Sequence, residues 1–341
     1  SCRLGPFKPE WIRELRMVDD ANPDNPDVAY NNGHLMHQQT FFIGEVNFYW
    51  ALGGRNHCAE MNTGDSNYIT PFVPHSFTSR NPDAPGLIVA VTFGGEIRRA
   101  LDDFARLDAE TAAELASDLR DPNAAYRARL SRYLAMDSMT GEGFAQRLES
   151  SGVTHERAAA LASGTQPSSS EEGRTVAEAL GVRPEDLMLS GLEIDGEVVV
   201  SRADASTARH WPNNNDFDCR LTELARTKHL PTLKGFAAEV VGNSPNAPGF
   251  RHHLFEYVYN YGDEPVALLW GEDREALIHP GDSACVHPMV AHRFARPSGA
   301  GEGRLCIVRV PGALNDSSMD EYARFDIAGR RRVNNETKQW F

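Results

Sequence analysis

Long apolar runs are missing from this 341-residue sequence. None approaches the roughly 20 residues that a membrane-spanning helix needs, which argues against a membrane protein. The opening residues, Ser1-Cys2-Arg3, carry no charged-then-apolar leader pattern. Cysteine is scarce too: Cys2, Cys58, Cys219, Cys285 and Cys306 are scattered, odd in number and without a Cys-x-x-Cys pair. They read as free thiols of a reducing cytoplasm. Positive charge is in short supply, with 34 Lys and Arg against 48 Asp and Glu and a formal net charge of −14. That excludes a surface built to hold a polyanion such as DNA, yet not a local cationic pocket for a small anion. What remains is globular in composition, 41% apolar and 24% charged, and long enough for two domains of ordinary size.

Within that background one pattern occurs twice. Gly64-Asp65-Ser66 leads through Pro71 and Pro74 to His75 and Phe77, and Gly281-Asp282-Ser283 leads through Pro288 to His292 and Phe294. In both copies the His stands eleven positions after the Gly, and the Phe two after the His. Upstream of each is another His with an oxygen-bearing side chain four positions on: His34 with Gln38, and His252 with Glu256. The two histidines are 41 positions apart in the first copy and 40 in the second. A duplicated domain reproduces such spacing; chance rarely does.

Residues 40–50 and 255–261 are rich in aromatic and β-branched side chains, and residues 87–93 form a continuous apolar run. Gly53-Gly54, Gly64-Asp65, Gly262-Asp263 and Pro280-Gly281 punctuate them as turns. Many short strands with Gly-Asp turns predict a mainly β protein of two small antiparallel jelly-roll barrels. Between them, from about residue 94, Ala, Leu, Arg and Glu recur at helical spacing. Short helices joined by tight polar turns predict a module of the helix-turn-helix kind. Glu156, Glu171 and Glu172 make it too acidic to read DNA, so its expected role is packing. The expected organisation is therefore a first barrel over 1–93, a helical domain over 94–190 and a second barrel over 191–341.

Two His and one oxygen ligand presented from barrel strands leave about three open positions on an octahedral metal, as an Fe(II) oxygenase requires for substrate and O2. His34, Gln38 and His75 form the first such set and His252, Glu256 and His292 a possible second one. His37, His57, His155 and His210 lack the repeated spacing and are expected to be ordinary structural imidazoles.

Gly-Asp before a Pro-rich strand ending in His resembles the second cupin motif, and His followed four positions later by Gln or Glu occupies the place of the first. More specifically, Asn31-Asn32-Gly33-His34-Leu35 and the stretch from Gly64 to Phe77 resemble the family of 2-hydroxyethylphosphonate dioxygenase and methylphosphonate synthase. The second half also resembles hydroxypropylphosphonate epoxidase, in Arg226-Thr227-Lys228, Pro231 and His252-x-x-x-Glu256. The family's N-terminal helix-turn-helix and first barrel strands are largely without counterpart here.

The resemblance implies a tandem cupin enzyme using Fe(II) and O2 on a small phosphonate, without 2-oxoglutarate. It places His34 and His75 on the iron and Asn31 on the phosphonate. The dioxygenase's carboxylate ligand falls on Ile69, which cannot bind a metal, whereas the synthase pairs Gln at the position of Gln38 with Ile there. The implied reaction is C–C cleavage of 2-hydroxyethylphosphonate to methylphosphonate. Hydroxymethylphosphonate with formate, or an epoxidase-like oxidation, is the alternative within the family. The second half keeps ligands but has Gly249 where the epoxidase pattern has Asn, and Cys219 and Leu221 where it has tyrosines. A cupin transcription regulator and a metal-free cupin that binds a sugar or small acid are the readings from other classes. Expected partners are the phosphonate and O2, with no nucleic acid or membrane, and a homo-oligomer is compatible with the sequence.

Overall fold

A computed structural model describes residues 5–116, 121–187, 198–212, 217–228, 230–242 and 248–335. Cys2 and the expected boundary at 190/191 lie outside the described residues. Cys58, Cys219, Cys285 and Cys306 are free thiols.

The first half supplies β1 (Phe7–Arg13), β2 (His37–Ile43), β3 (Val46–Leu52), β4 (Arg55–Met61), β5 (Ser66–Ile69), β6 (His75–Ser79) and β7 (Leu87–Phe93). Beyond the helical segment follow β8 (Val198–Ser201), β9 (Ala208–Pro212), β10 (Phe217–Glu223), β11 (Lys234–Val240), β12 (Phe255–Asn260), β13 (Val266–Trp270), β14 (Arg274–Ile278), β15 (Ser283–Val286), β16 (His292–Ala295) and β17 (Gly303–Val310). They form a large and a small sheet in each half: β1-β7-β2-β5-β8 with β4-β3-β6, and β15-β12-β17-β11-β10-β9 with β14-β13-β16. All the pairings are antiparallel. Each half is thus a cupin-like two-sheet jelly roll, without a hydrogen-bonded closed barrel among the described residues. β8 joins the first half's large sheet although it follows the helical segment in sequence.

Side-chain alternation explains the hydrophobic patterns. On β2 and β7, Phe42 and Ile88 point between the two sheets of their own half and pack with Phe48, Met61 and Ile69. Phe41, Val89, Val91 and Phe93 point the other way and pack with Tyr257, Cys306, Val308 and Val310 of β12 and β17. The large sheets therefore cover each other. A strand buried on both faces has no polar side to alternate with, so residues 87–93 read as an apolar run broken only by Thr92. The inner face of the second half is filled in the same manner by Phe236, Val258, Leu268, Phe294 and Ile307.

The Gly-Asp motif has one local geometry in both copies. Gly64 and Gly281 take φ of +94° and +84°, which a side chain would strain. Asp65 Oδ2 accepts from Asn62 N, and Asp282 Oδ2 from His279 N. Backbone bonds then fasten each turn to an earlier strand, at Phe42 of β2 and at Asn260 of β12. This sets the start of β5 and β15, the strands that precede each motif histidine.

Residues 100–195 group as a separate compact unit. Its helices Pro122–Met136, Gly141–Ser150, His155–Ala162 and Ser170–Leu180 bury Leu130, Phe144, Leu148, Leu161 and Val176. Asp121, Thr140 and Ser169 cap three of them through their side chains, and Gly181 closes the last with left-handed φ. Among the described residues no helix is long and apolar enough to cross a membrane.

Candidate metal centres

In the first half, Gln38 sits on the inner face of β2, His34 just before that strand, and His75 at the start of β6. The N–H of Phe72 donates to His34 O, and Phe72 takes φ +62°, drawing the two histidine-bearing segments together. The rings of His34 and His75 lie 5.3 Å apart at 86°. With Gln38 and Asn31 they line a cavity of about 450 Å³.

Hydrogen bonds fix what each ligand offers. His34 Nδ1 is 2.9 Å from Met36 O and His75 Nδ1 is 2.8 Å from Val73 O. A carbonyl only accepts, so both Nδ1 atoms carry the proton and both Nε2 atoms keep a lone pair. Burial lowers the His75 pKa below the ordinary imidazole value, and the nearby His34 adds to this against the Val73 carbonyl. Gln38 Nε2 donates to Thr40 Oγ1 at 2.9 Å, which leaves Oε1 facing His34 Nε2 at 3.1 Å. Two lone-pair carriers thus confront each other. A cation between them satisfies both, and about 3 Å is how far apart two ligand atoms sit at right angles on a metal roughly 2.1 Å from each. The residues present therefore fit a divalent metal.

Strand register places further groups around Gln38. Its cross-strand neighbours are Ile69 on β5 and Thr92 on β7, and Thr92 is paired in turn with Lys8 on β1. An oxygen ligand at 69 or at 38 would therefore enter the same space from adjoining strands. Lys8, Thr92 and Arg98 also line the cavity, Lys8 being paired with Glu10 at 2.9 Å. Asn31 Oδ1 accepts from Gly33 N and His75 N, so its amide NH2 is the donor it has left to offer a ligand.

The second half repeats this row with different charge. Glu256 stands between Val286 and Arg309, and Arg309 is paired with Lys234. Among the described residues, His252, Glu256 and His292 form a His/carboxylate group able to hold a metal ion. Glu256 Oε2 is 3.1 Å from His252 Nε2 and 2.5 Å from Arg309 Nε, and Oε1 is 2.8 Å from His292 Nε2. Burial alone would raise the Glu256 pKa, but Arg309 and the two histidines hold it well below the usual carboxylate range. Gly249, three before His252, has no room for the Asn of the epoxidase pattern, since a Cβ there would stand 2.4 Å from His292 O. Phe250 takes over the backbone pairing to His292 instead.

His37, His57, His155 and His210 are engaged by other partners. His37 stacks on Phe93 and meets the Tyr68 hydroxyl, His57 stacks on Trp50, His155 pairs with Glu149, and His210 stacks on Phe217. Sequence reasoning missed Lys8, Thr40, Thr92, Arg98 and Arg309. Only Thr40 carried a local signal, two positions after Gln38 on the same strand face; the others reach the sites through register or loops.

No family model matches the chain. A methylphosphonate synthase of Nitrosopumilus maritimus (strain SCM1) is 34% identical over 345 residues, 99% of this chain and 73% of that protein. An (S)-2-hydroxypropylphosphonic acid epoxidase of Streptomyces wedmorensis is 33% identical over 79 residues, 23% of this chain and 40% of that protein. Among solved structures, Streptomyces albus 2-hydroxyethylphosphonate dioxygenase with 2-hydroxyethylphosphonate and Fe(II) bound matches with a TM-score of 0.84 at 32% identity. That match covers 99% of this chain and 75% of the dioxygenase. With near-complete coverage by both likenesses, this tandem cupin chain belongs to the family of methylphosphonate synthase and 2-hydroxyethylphosphonate dioxygenase.

Proposed function

We propose that the chain is an Fe(II)- and O2-dependent oxygenase that cleaves the C–C bond of 2-hydroxyethylphosphonate to give methylphosphonate. The supporting observation is the convergence of His34 Nε2, His75 and Gln38 Oε1 on one cavity, in a chain similar along its length to a methylphosphonate synthase. In this reading His34, Gln38 and His75 hold the iron in the first cupin, residues 1–93. The second cupin, within residues 191–341, carries the other candidate set, His252, Glu256 and His292, and follows the helical segment 94–190 in the chain. A reducing cytoplasm suits its free thiols.

When bound, Fe(II) supplies the one-electron chemistry with O2 that the organic side chains lack. The protein's part is to bind and orient. A neutral amide at Gln38 leaves both charges of the metal to attract a dianionic phosphonate, where a carboxylate would cancel one. Asn31 offers its NH2 to a phosphonate oxygen, and Arg98 adds positive charge to the wall, where Lys8 is matched by Glu10. Ile88, Phe77 and Ala90 line the apolar side and limit water around the reacting carbon. One O2 and one 2-hydroxyethylphosphonate balance one methylphosphonate, one CO2 and one water, so no outside reductant is needed.

Phosphorus NMR of the iron-loaded chain given 2-hydroxyethylphosphonate and O2 tests this. A methylphosphonate resonance is expected. Hydroxymethylphosphonate would instead assign the dioxygenase outcome, and unchanged substrate would refute the reading.

A further inference from the structure

Four cations gather on the inner face of the second half's large sheet. Arg209, Arg226 and Arg309 place their guanidinium carbons 4.9, 5.8 and 5.2 Å from the centre of the Phe236 ring. Lys234 is the cross-strand partner of Arg309. Phe250 covers Arg309 as well, at 5.1 Å, and the Arg309 side chain is only 13% exposed. Among the described residues two carboxylates answer this charge: Glu223 pairs with Arg209 and Arg226, and Glu256 with Arg309. Lys234 has no carboxylate within 4 Å among them.

The cluster is therefore short of anions. Desolvation lowers the pKa of Arg226 and of Lys234; Glu223 opposes this on both, while Arg209 on Arg226, and Arg226 and Arg209 on Lys234, add to it. Arg226 Nε and Arg309 Nη2 are buried without a hydrogen-bond partner. Buried donors are nearly always satisfied, so two orphans on gathered guanidiniums mark a place for an acceptor. Forked N–H groups match the oxygens of a tetrahedral oxyanion. The register equivalence strengthens this, because Lys234 stands two strands from Glu256 as Lys8 does from Gln38.

We propose that the second half binds a small phosphate-class dianion on Arg209, Arg226, Lys234 and Arg309, beside His252, Glu256 and His292. This goes beyond the reaction assigned to the first half and does not depend on it. Orthophosphate and a small phosphonate share the required chemistry.

The test is titration calorimetry of the full chain with inorganic phosphate and, separately, methylphosphonate, using chloride at matched ionic strength as control. His75→Ala, which disables the first site, retains binding. Adding Lys234→Gln or Arg226→Gln weakens it by about tenfold or more, the usual loss for a bond to a charged group. The tighter of the two ligands identifies the source. Melting temperature gives a second readout: without ligand, Lys234→Gln melts no lower than its parent because repulsion is relieved, and phosphate raises its Tm less. Absence of binding in His75→Ala, or an affinity indifferent to both second-half substitutions, would overturn the proposal.

Discussion

The distinctive residue of the first centre is Gln38, because an amide has two unlike ends. With Oε1 turned towards His34, the NH2 is buried and needs an acceptor, which Thr40 provides. The equivalent neighbour of Glu256 is Val258, and a carboxylate has no such donor to satisfy. Thr40→Val should therefore weaken Fe(II) binding by about tenfold, the scale of one orphaned buried donor, while Thr40→Ser retains most of it. Chelator competition under anaerobic conditions measures both. Equal affinities for Thr40→Val and the parent would remove Thr40 from this role. Gln38→Ala separates that result from an error about the ligand itself, since a true ligand's loss lowers iron content whatever Thr40 does. His34→Ala should abolish most iron binding at the first site, because Gln38 with one imidazole is a weak pair.

At the scale of strands, the structure accounts for what could be read along the chain. The Gly-Asp turns, the spacing to His75 and His292, and the doubly buried run at 87–93 are local patterns, so they were legible. Ile69 was read as a residue unable to bind metal, but its place directly opposite Gln38 depends on the register of β2 and β5. Lys8 and Arg309 are remote in sequence from the ligands and reach them only as strands align. Gly249 stands where the epoxidase pattern has Asn, and the steric reason, the close approach of His292 O, is one that no spacing reveals. Just beyond β1, burial raises the Glu14 pKa to about 7 from an ordinary 4.5. A carboxyl whose pKa is raised by folding favours the folded state when protonated, and stability falls as pH climbs from 4.5 to 7. Glu14→Gln should consequently raise the Tm at pH 8 and change it little near pH 4.5. A gain of equal size at both pH values would contradict that origin.

Over the whole molecule, duplication yields two halves with one backbone plan and different chemistry. Each sets an oxygen-bearing side chain between an aliphatic residue and a polar one, then a lysine: Ile69–Gln38–Thr92–Lys8 and Val286–Glu256–Arg309–Lys234. In the first row the oxygen ligand is neutral and beside a cavity. In the second it is ionised and tied to a guanidinium, which makes Glu256 costly to remove because Arg309 would then be buried without its partner. Glu256→Ala should lower thermal stability yet leave methylphosphonate formed per first-site iron nearly unchanged. The decisive measurement compares His75→Ala with Glu256→Ala in one experiment, recording iron per chain and methylphosphonate per minute after anaerobic Fe(II) loading and addition of O2. Chemistry in the first half predicts that turnover vanishes in His75→Ala and survives in Glu256→Ala. Turnover lost in Glu256→Ala and retained in His75→Ala would move the active site to the second half.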